Sequence, residues 1–443
     1  MNTARTALAL LGILFAATTL NAQEKVDRPK PMVVVISLDA FGAESLRDPN
    51  IPAPTLRMLM KQGAYARSMQ PVNPTVTWPN HTAMVTGDTP ALHHVLANGL
   101  IQNQRTPGSK ATKIWADAPK SELVAVPTVY DAAHDAGMTS AEVDWVAIYH
   151  ASSINWRFHE DPDVDGPVEQ DMIKAGVASH DDLLHFHRGQ SQAWRDQLYT
   201  EAAVRIIKQH HPNLMLLHLL ALDSAEHHYG FGTDAGFVTI AFLDSCVKKI
   251  VEAVREAGDT DRTTFLIVSD HGQQSLHHHI ATSAYLREAG ITSDEAIAMP
   301  EGGLALIYAK HSSQAMTDKL KAAYEGKPGV RSVATPDHYA AEGLPTPAMS
   351  SQAPDLIAYA MDDYAFAGGD TSPAISDVPQ AGAHGYPNTN PLMQEIFIAA
   401  GKGIKPSGEI PSFPNLNVAP TIAVLLGVKL ENVQGKPLSS ILR

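Results

Sequence analysis

Three apolar runs constrain the fold of this chain most strongly, because each leads directly into acidic or histidine residues. The runs and the residues that follow them are Met32–Leu38 before Asp39, Leu214–Leu222 before Asp223, and Thr263–Ser269 before Asp270 and His271. None alternates regularly between apolar and polar residues, so each is predicted to be a strand buried on both faces, as in a parallel sheet. Ligands of open α/β sheets bind at the carboxyl ends of the strands. The runs therefore predict a parallel sheet with acids and histidines at its ligand-binding edge.

Helical patterns alternate with these strands, which is typical of a parallel α/β sheet. The predicted helices are Pro54–Gln62, Val129–Gly137, Trp194–Gln209, Phe237–Ala257 and Asn417–Leu426, and further strands are predicted at Ser140–Val146 and Glu395–Ala400. Shorter strand patterns lie at Gly302–Ala309, Gly329–Ala334 and Pro354–Ala360. We expect one domain over residues 23–443. Insertions are predicted around 102–195, which should also continue the sheet, and around 289–364.

The first residues, Met1–Ala22, have the features of an export signal. Arg5 supplies positive charge, Ala7–Ala17 is an apolar core too short for a membrane span, and Asn21-Ala22 offers a small-residue cleavage point. No other long apolar run follows. We therefore expect a periplasmic or secreted protein without a stable membrane anchor.

The charge and cysteine content exclude some kinds of function. A net charge of −14 argues against binding to nucleic-acid backbones or anionic membranes. An anionic small-molecule substrate would need local positive charge, which a metal centre could supply. The lone Cys246 cannot form an internal disulfide and is predicted to pack as a small apolar residue.

The stretch Asn73–Gly87 places a hydroxyl near the start of a predicted helix. Pro79 suits the first helical turn because it lacks an N–H group, and Gly87 can end the helix. Thr77 would then lie at or near the helix N-cap, where free N–H groups and the helix dipole favour a phosphate. Taken alone, Thr77 fits a plain capping role better than a phosphate-binding one.

The candidate metal ligands are three carboxylates and three imidazoles: Asp39, Asp223, Asp270, His227, His271 and His384. This mixture of oxygen and nitrogen donors suits zinc. Six donors exceed what one tetrahedral ion needs and are appropriate for two. Each residue alone has a simpler explanation, since strand-end Asp residues cap helices and isolated histidines often only fill space. The whole set favours a two-metal site.

Two other patterns are weaker metal candidates. Asp161–Gly166 imitates the start of a calcium loop, but Met172 stands where a bidentate Glu is needed, so a surface loop is predicted. The run His277–His279 cannot direct all its side chains at one ion from a regular strand. Surface or supporting roles are expected for these histidines.

Six ordered motifs resemble those of the nucleotide pyrophosphatase/phosphodiesterase family, which belongs to the alkaline phosphatase superfamily. They are Ser37–Phe41, Pro74–His81, Thr86–Asn98, Asp223–His227, Ser269–Gly272 and His384–Tyr386. The resemblance extends from about residue 31 to residue 426. It implies an alkaline-phosphatase-like α/β fold, with helices on both faces of a mostly parallel sheet and a smaller inserted or cap region.

The resemblance also implies a function for each matching residue. One zinc ion would be held by Asp223, His227 and His384, and a second by Asp39, Asp270, His271 and the Thr77 oxygen. Thr77 would be the nucleophile and would form a phosphothreonine intermediate. Asn98 would bind the phosphate, and Trp78 would provide an aromatic wall for a flat group. The expected reaction is hydrolysis of a small-molecule phosphodiester or nucleotide.

Departures from the family pattern leave the substrate open. Trp78 stands where Phe is frequent, His218 stands near an expected Tyr, and the apolar Leu220–Leu222 precedes Asp223. A phosphomonoesterase or a phosphonate hydrolase could use the same metals and nucleophile. A metal-containing periplasmic binding protein without turnover is disfavoured by the intact Thr77. Neither the leaving group nor the oligomeric state follows from the sequence.

Overall fold

A computed structural model of the chain describes residues 30–103, 105 and 113–443. The predicted export signal, Met1–Ala22, lies outside the described residues. Within them, no helix combines the length and the apolar character needed to cross a membrane.

The described elements alternate between strands and helices along much of the chain. The strands are β1 (Met32–Leu38), β2 (Ala64–Ala66), β3 (Met69–Gln70), β4 (Leu100–Gln102), β5 (Lys113–Trp115), β6 (Ser140–Val143), β7 (Trp156–Phe158), β8 (Leu214–Leu219), β9 (Thr263–Val268), β10 (Gln274–Ala281), β11 (Ala296–Glu301), β12 (Leu304–Ala309), β13 (Val330–Ala334), β14 (Leu356–Ala360), β15 (Asp363–Ala367), β16 (Ile375–Ala383), β17 (Phe397–Gly401), β18 (Gly408–Ile410) and β19 (Phe413–Pro414). The α-helices are α1 (Ala43–Arg47), α2 (Pro54–Gln62), α3 (Thr77–Thr86), α4 (Pro90–His93), α5 (Lys120–Leu123), α6 (Val129–Asp135), α7 (Pro167–Lys174), α8 (His180–Leu184), α9 (Gln192–His210), α10 (Ala221–Tyr229), α11 (Asp234–Glu256), α12 (Ala284–Glu288), α13 (Gln314–Tyr324) and α14 (Val418–Leu426).

The largest sheet of the described residues has eight strands, in the order β18-β2-β17-β9-β1-β8-β6-β7. The five strands from β9 to β7 are mutually parallel, whereas β17 runs antiparallel to β9 and β2. β1 lies inside this parallel block, and all seven of its residues are buried. The predicted α/β fold with a mostly parallel sheet is confirmed.

Helices cover both faces of this sheet, which explains why its strands are apolar without alternation. Val34 and Ile36 of β1 belong to a core cluster that includes residues of α2, α9 and α11. Val33 and Val35 point to the opposite face and belong to a cluster that includes residues of α3, α6 and α14. β1 is therefore buried on both faces, as its unbroken apolar run predicts.

Two smaller sheets lie between β9 and β17 in the sequence. Within the described ranges, β11-β12-β14-β13 form a four-stranded sheet and β15-β10-β16 a three-stranded one. Residues of both sheets share a core cluster. β16 ends at Ala383, so the three-stranded sheet delivers the next residue, His384, to its position.

The predicted strand Leu214–Leu222 is wrong at its carboxyl end. β8 ends at Leu219, and helix α10 begins two residues later. The buried carboxylate of Asp196 accepts hydrogen bonds from Leu220 N at 3.2 Å and from Ala221 N at 2.8 Å. These bonds satisfy amides at the new helix start, where orphan N–H groups need acceptors. Asp223 therefore lies in the first turn of a helix and not at a strand end.

The predicted strand Ser140–Val146 is also too long. β6 ends at Val143, and Asp144 has φ 55°, in the left-handed region that no strand residue adopts. The strand nevertheless pairs in parallel with β8, so part of the segment 102–195 continues the large sheet. The division into one domain with insertions stays a prediction.

Candidate active site

Four elements bring the candidate ligands together. Asp39 directly follows β1, and Asp270 and His271 follow β9, its parallel neighbour. Asp223 and His227 lie four residues apart on α10, a spacing that puts both side chains on one helix face. His384, the sixth candidate, follows the end of β16. The structure thus brings together all six residues that the sequence singled out.

The first group of donors surrounds His271. Its Nε2 lies 3.4 Å from Asp39 Oδ1, 3.3 Å from Asp270 Oδ2 and 3.4 Å from Thr77 Oγ1. Four donors around a tetrahedral zinc, at bonds of about 2.0–2.1 Å, would be separated by roughly 3.3–3.4 Å. Asp39 Oδ1 and Asp270 Oδ2 are buried and have no hydrogen-bond partner among the residues that the structure describes. The chemistry of these four donors, and the spacing of the other three from His271 Nε2, therefore fit a divalent cation.

The second group consists of Asp223, His227 and His384. Asp223 Oδ1 lies 3.2 Å from His227 Nε2, and donor atoms of all three residues lie within 4.8 Å of one another. Asp223 Oδ1 is a further buried oxygen, and it faces this imidazole. Asp39, Asp223 and His271 also lie within 4.8 Å of one another, so the two groups adjoin.

Main-chain carbonyls orient the three candidate histidine ligands in the same way. The Nδ1 atoms of His227, His271 and His384 lie 2.8, 3.1 and 3.1 Å from the carbonyl oxygens of Gly382, Gly272 and Thr75. When Nδ1–H donates to a carbonyl, Nε2 keeps a free lone pair. All three rings can therefore present Nε2 to a metal ion.

The electrostatics of the first group also favour a bound cation. Burial raises the pKa of Asp39 and of Asp270 well above the usual range, and neighbouring carboxylates raise it further. Burial lowers the pKa of His271, and it also brings to about 4 the pKa of His384, a second-group residue whose ring stacks on His271. Neutral imidazoles offer lone pairs but no positive charge to offset the acids. A divalent cation would supply that charge.

Asp223 and His227 behave as an ion pair. Burial opposes the charge on both, yet the imidazolium of His227 holds the pKa of Asp223 below its usual range. Burial by itself would lower the pKa of His227, but the Asp223 carboxylate raises the pKa of that imidazole to about 9. A metal ion at this group would have to displace the proton of His227, so its binding should strengthen as the pH rises.

Thr77 is the first residue of α3, and Val76 occupies the N-cap position. The Thr77 hydroxyl lies 3.4 Å from His271 Nε2, beside the first donor group. Gly87, with φ 78°, ends the helix as predicted. The arrangement places a hydroxyl, a helix N-terminus and the candidate ligands in one place.

The candidate substrate-binding residues lie next to Thr77. Trp78 N donates to Asn98 Oδ1 at 3.1 Å, which leaves the Asn98 amide group as a donor toward a ligand. Trp78 is only 4% exposed, and Tyr149 stacks on it at 6.3 Å between ring centroids. Half-buried Tyr149, which the sequence analysis did not assign to the site, therefore covers much of the expected aromatic wall.

Sequence reasoning also missed a layer of residues behind the carboxylates. His218 Nε2 lies 3.0 Å from Asp39 Oδ2, and the rings of His81 and His218 are 4.3 Å apart. His81 Nδ1 lies 2.9 Å from the main-chain oxygen of Thr77. His81 follows Thr77 by one helical turn, so the spacing could have suggested its position. His218 could be placed only once the pairing of β8 with β1 was known.

The weaker metal candidates lie away from these groups. His277 Nδ1 is 2.7 Å from Asp363, and His278 Nδ1 is 2.9 Å from Asp377, both near the surface. Cys246 is buried, as predicted.

Comparison with known proteins identifies the family. The model for the family "Type I phosphodiesterase / nucleotide pyrophosphatase" matches residues 33–387. The chain belongs to this family. Human ectonucleotide pyrophosphatase/phosphodiesterase family member 1 is 24% identical over 412 residues, which cover 90% of this chain and 40% of that protein. Ectonucleotide pyrophosphatase/phosphodiesterase 1 of Saccharomyces cerevisiae is 23% identical and covers 56% of this chain and 34% of that protein. This chain thus spans about two fifths or less of these curated relatives.

Solved structures of the family share the fold. Human ectonucleotide pyrophosphatase/phosphodiesterase 5 superposes with a TM-score of 0.72 at 18% identity, covering 93% of this chain and 100% of that one. An inactive form of the murine protein, solved in complex with AMP, has a TM-score of 0.72 at 17% identity, covering 94% and 100%. At this identity the similarity establishes the alkaline-phosphatase-like fold.

Proposed function

We propose that this protein is a two-zinc phosphodiesterase or nucleotide pyrophosphatase that acts outside the cytoplasm. It hydrolyses phosphodiester or phosphoanhydride bonds through a phosphothreonine intermediate on Thr77. The observation that carries this proposal is the first donor group. A hydroxyl at a helix N-terminus lies at ligand spacing from His271 Nε2, together with two buried carboxylate oxygens that have no hydrogen-bond partner in the described part of the chain.

Seven residues would hold the two zinc ions (Zn²⁺). Asp39, Asp270, His271 and Thr77 form one site, and Asp223, His227 and His384 form the other. When bound, the zinc ions supply Lewis acidity and positive charge for the attacking and leaving oxygens of an in-line displacement. The mixed Asp and His donors are also compatible with other divalent ions, but nitrogen ligands at tetrahedral spacing favour zinc.

Thr77 performs the covalent chemistry. Its Oγ1 attacks phosphorus and releases the hydroxyl proton to solvent, while the bond from phosphorus to the leaving-group oxygen breaks and that oxygen takes up a proton from solvent. Water then attacks the phosphothreonine, the bond between phosphorus and Oγ1 breaks, and the hydroxyl regains a proton. The N–H groups at the start of α3 point toward the transferred phosphate and stabilise its charge.

Asn98 and the aromatic pair position the substrate. The Asn98 amide donates to a non-bridging phosphate oxygen, because its carbonyl oxygen is already engaged by Trp78 N. The edge of Trp78 and the ring of Tyr149 provide a surface for a flat group such as a base. The family membership and the AMP complex of the murine structure support a nucleotide as that group.

A paired assay distinguishes the diesterase from the alternatives. Metal-loaded protein is incubated with bis(p-nitrophenyl) phosphate and with p-nitrophenyl phosphate, and then with a panel of nucleotide diesters and anhydrides. The proposal expects a clear preference for the diester and release of a nucleoside monophosphate. A preference for the monoester would indicate a phosphomonoesterase. Absence of turnover with all substrates, despite bound metal, would favour a binding protein.

A further inference from the structure

The two oxygens of the Asp39 carboxylate have different neighbours. Oδ1 lies 3.4 Å from His271 Nε2 and has no hydrogen-bond partner within residues 30–103, 105 and 113–443. Oδ2 lies 3.0 Å from Nε2 of His218, whose side chain is completely buried on β8. One oxygen thus faces the candidate metal site, and the other faces an imidazole on the adjacent strand.

The His218 ring is fixed in place from several sides. Its Nδ1 lies 3.2 Å from the main-chain oxygen of Asp144. Its face lies 4.3 Å from the ring of His81, which in turn contacts Trp145 edge-on at 4.8 Å. The backbone is held as well, because His218 pairs with Ser37 in the parallel β1–β8 ladder. The ring cannot move away from Asp39 without disrupting this buried packing.

We propose that His218 is a positioning residue for Asp39. The ring proton is placed on Nε2, because the carboxylate 3.0 Å away is a nearer and stronger acceptor than the main-chain oxygen 3.2 Å from Nδ1. This Nε2–H donates to Oδ2 and so keeps Oδ1 directed at the zinc ion of the Asp39–Asp270–His271 group. Without such a bond, a carboxylate ligand could rotate and offer either oxygen to the metal. Removing a hydrogen-bond partner of this kind typically weakens metal binding about 10- to 100-fold. The inference rests on the proposed function, because it assigns Asp39 the role of a ligand.

Two nearly isosteric substitutions isolate the hydrogen bond. His218→Gln keeps an N–H donor at about the reach of Nε2, whereas His218→Met has similar length and volume but no donor. Apo protein is titrated with zinc in competition with a chromophoric chelator, and thermal unfolding verifies the fold. For His218→Met we expect one of the two zinc equivalents to bind about 10- to 100-fold more weakly. His218→Gln should restore most of that affinity, and the other equivalent should be unchanged in both variants.

A third variant keeps the test decisive if the Met variant does not fold. The amide of His218→Asn reaches toward Asp144 but stops short of Asp39, so this variant should weaken the same zinc equivalent. Equal zinc affinity of the Gln and Met variants, or wild-type affinity of the Asn variant, would overturn the positioning role. Wild-type protein that takes up no zinc would instead overturn the proposed function.

Discussion

Replacing Thr77 by Ala should abolish turnover while leaving the fold and the metal ligands in place. Thr77 is 7% exposed and is the first residue of α3, where Val76 holds the cap position. The substitution removes one buried methyl group and one hydroxyl at a position that Ala tolerates well. We expect a loss of about 1 kcal/mol in unfolding free energy. Without the Thr77 hydroxyl, the first donor group still contains Asp39, Asp270 and His271.

The effect on activity should be far larger than the effect on stability. Loss of an enzyme's nucleophile typically lowers kcat by about 10⁴-fold or more, which corresponds to over 5 kcal/mol of transition-state stabilisation. The assay is diester hydrolysis with metal content measured on the same sample. Thr77→Ser, which keeps the hydroxyl but loses the β-branch, should retain part of the rate. Acid-quenched wild-type protein should also carry phosphate on Thr77 in mass spectra.

One result would refute this reasoning. If Thr77→Ala hydrolysed diesters at a near wild-type rate with both metals bound, Thr77 would not be the nucleophile. Direct attack by an activated water would then replace the covalent route.

Three further predictions follow from the site and its surroundings. Exhaustive chelation should abolish hydrolysis and zinc should restore it best, whereas full activity in protein shown to be metal-free would contradict the proposal. Asn98→Asp keeps the acceptor for Trp78 N but replaces the amide donor by a negative charge. The kcat/KM for diesters should therefore fall about 10²-fold or more. An unchanged kcat/KM would exclude Asn98 from phosphate binding. Burial raises the pKa of Glu169 to about 7 from its ordinary 4.5, so the unfolded chain loses this proton before the folded chain does. The unfolding free energy of the wild-type protein should therefore fall as the pH rises from 4.5 to 7. Over that window, urea unfolding should show Glu169→Gln gaining up to about 3 kcal/mol of stability relative to wild type. Identical pH dependence of the two proteins would contradict the raised pKa.

The sequence was sufficient to predict the buried strands β1 and β9 and the site residues that follow them, because these depend on local patterns. Unbroken apolar runs marked β1 and β9, and the residues that followed each strand were expected at the ligand-binding edge. His271 and Asp39 meet there because their strands are parallel neighbours. The order of the motifs then associated His384 with the other residues, although it comes from a different sheet.

Features that depend on tertiary contacts could not be predicted in this way. The start of α10 is fixed by Asp196, which lies far from Leu220 in the sequence, so the apolar run alone suggested a longer strand. The contact of His218 with Asp39 requires the pairing of β8 with β1. Tyr149 reaches Trp78 only through the fold of an irregular segment. In each case a long-range partner decides the local outcome.

The most direct test of the two-metal claim is diffraction from zinc-loaded crystals, with anomalous data collected on both sides of the zinc absorption edge. We predict two peaks about 4 Å apart. One should lie among Asp39, Asp270, His271 and Thr77, and the other among Asp223, His227 and His384. A single peak, or zinc bound elsewhere, in crystals of protein that is active with the same zinc content would contradict the two-metal site.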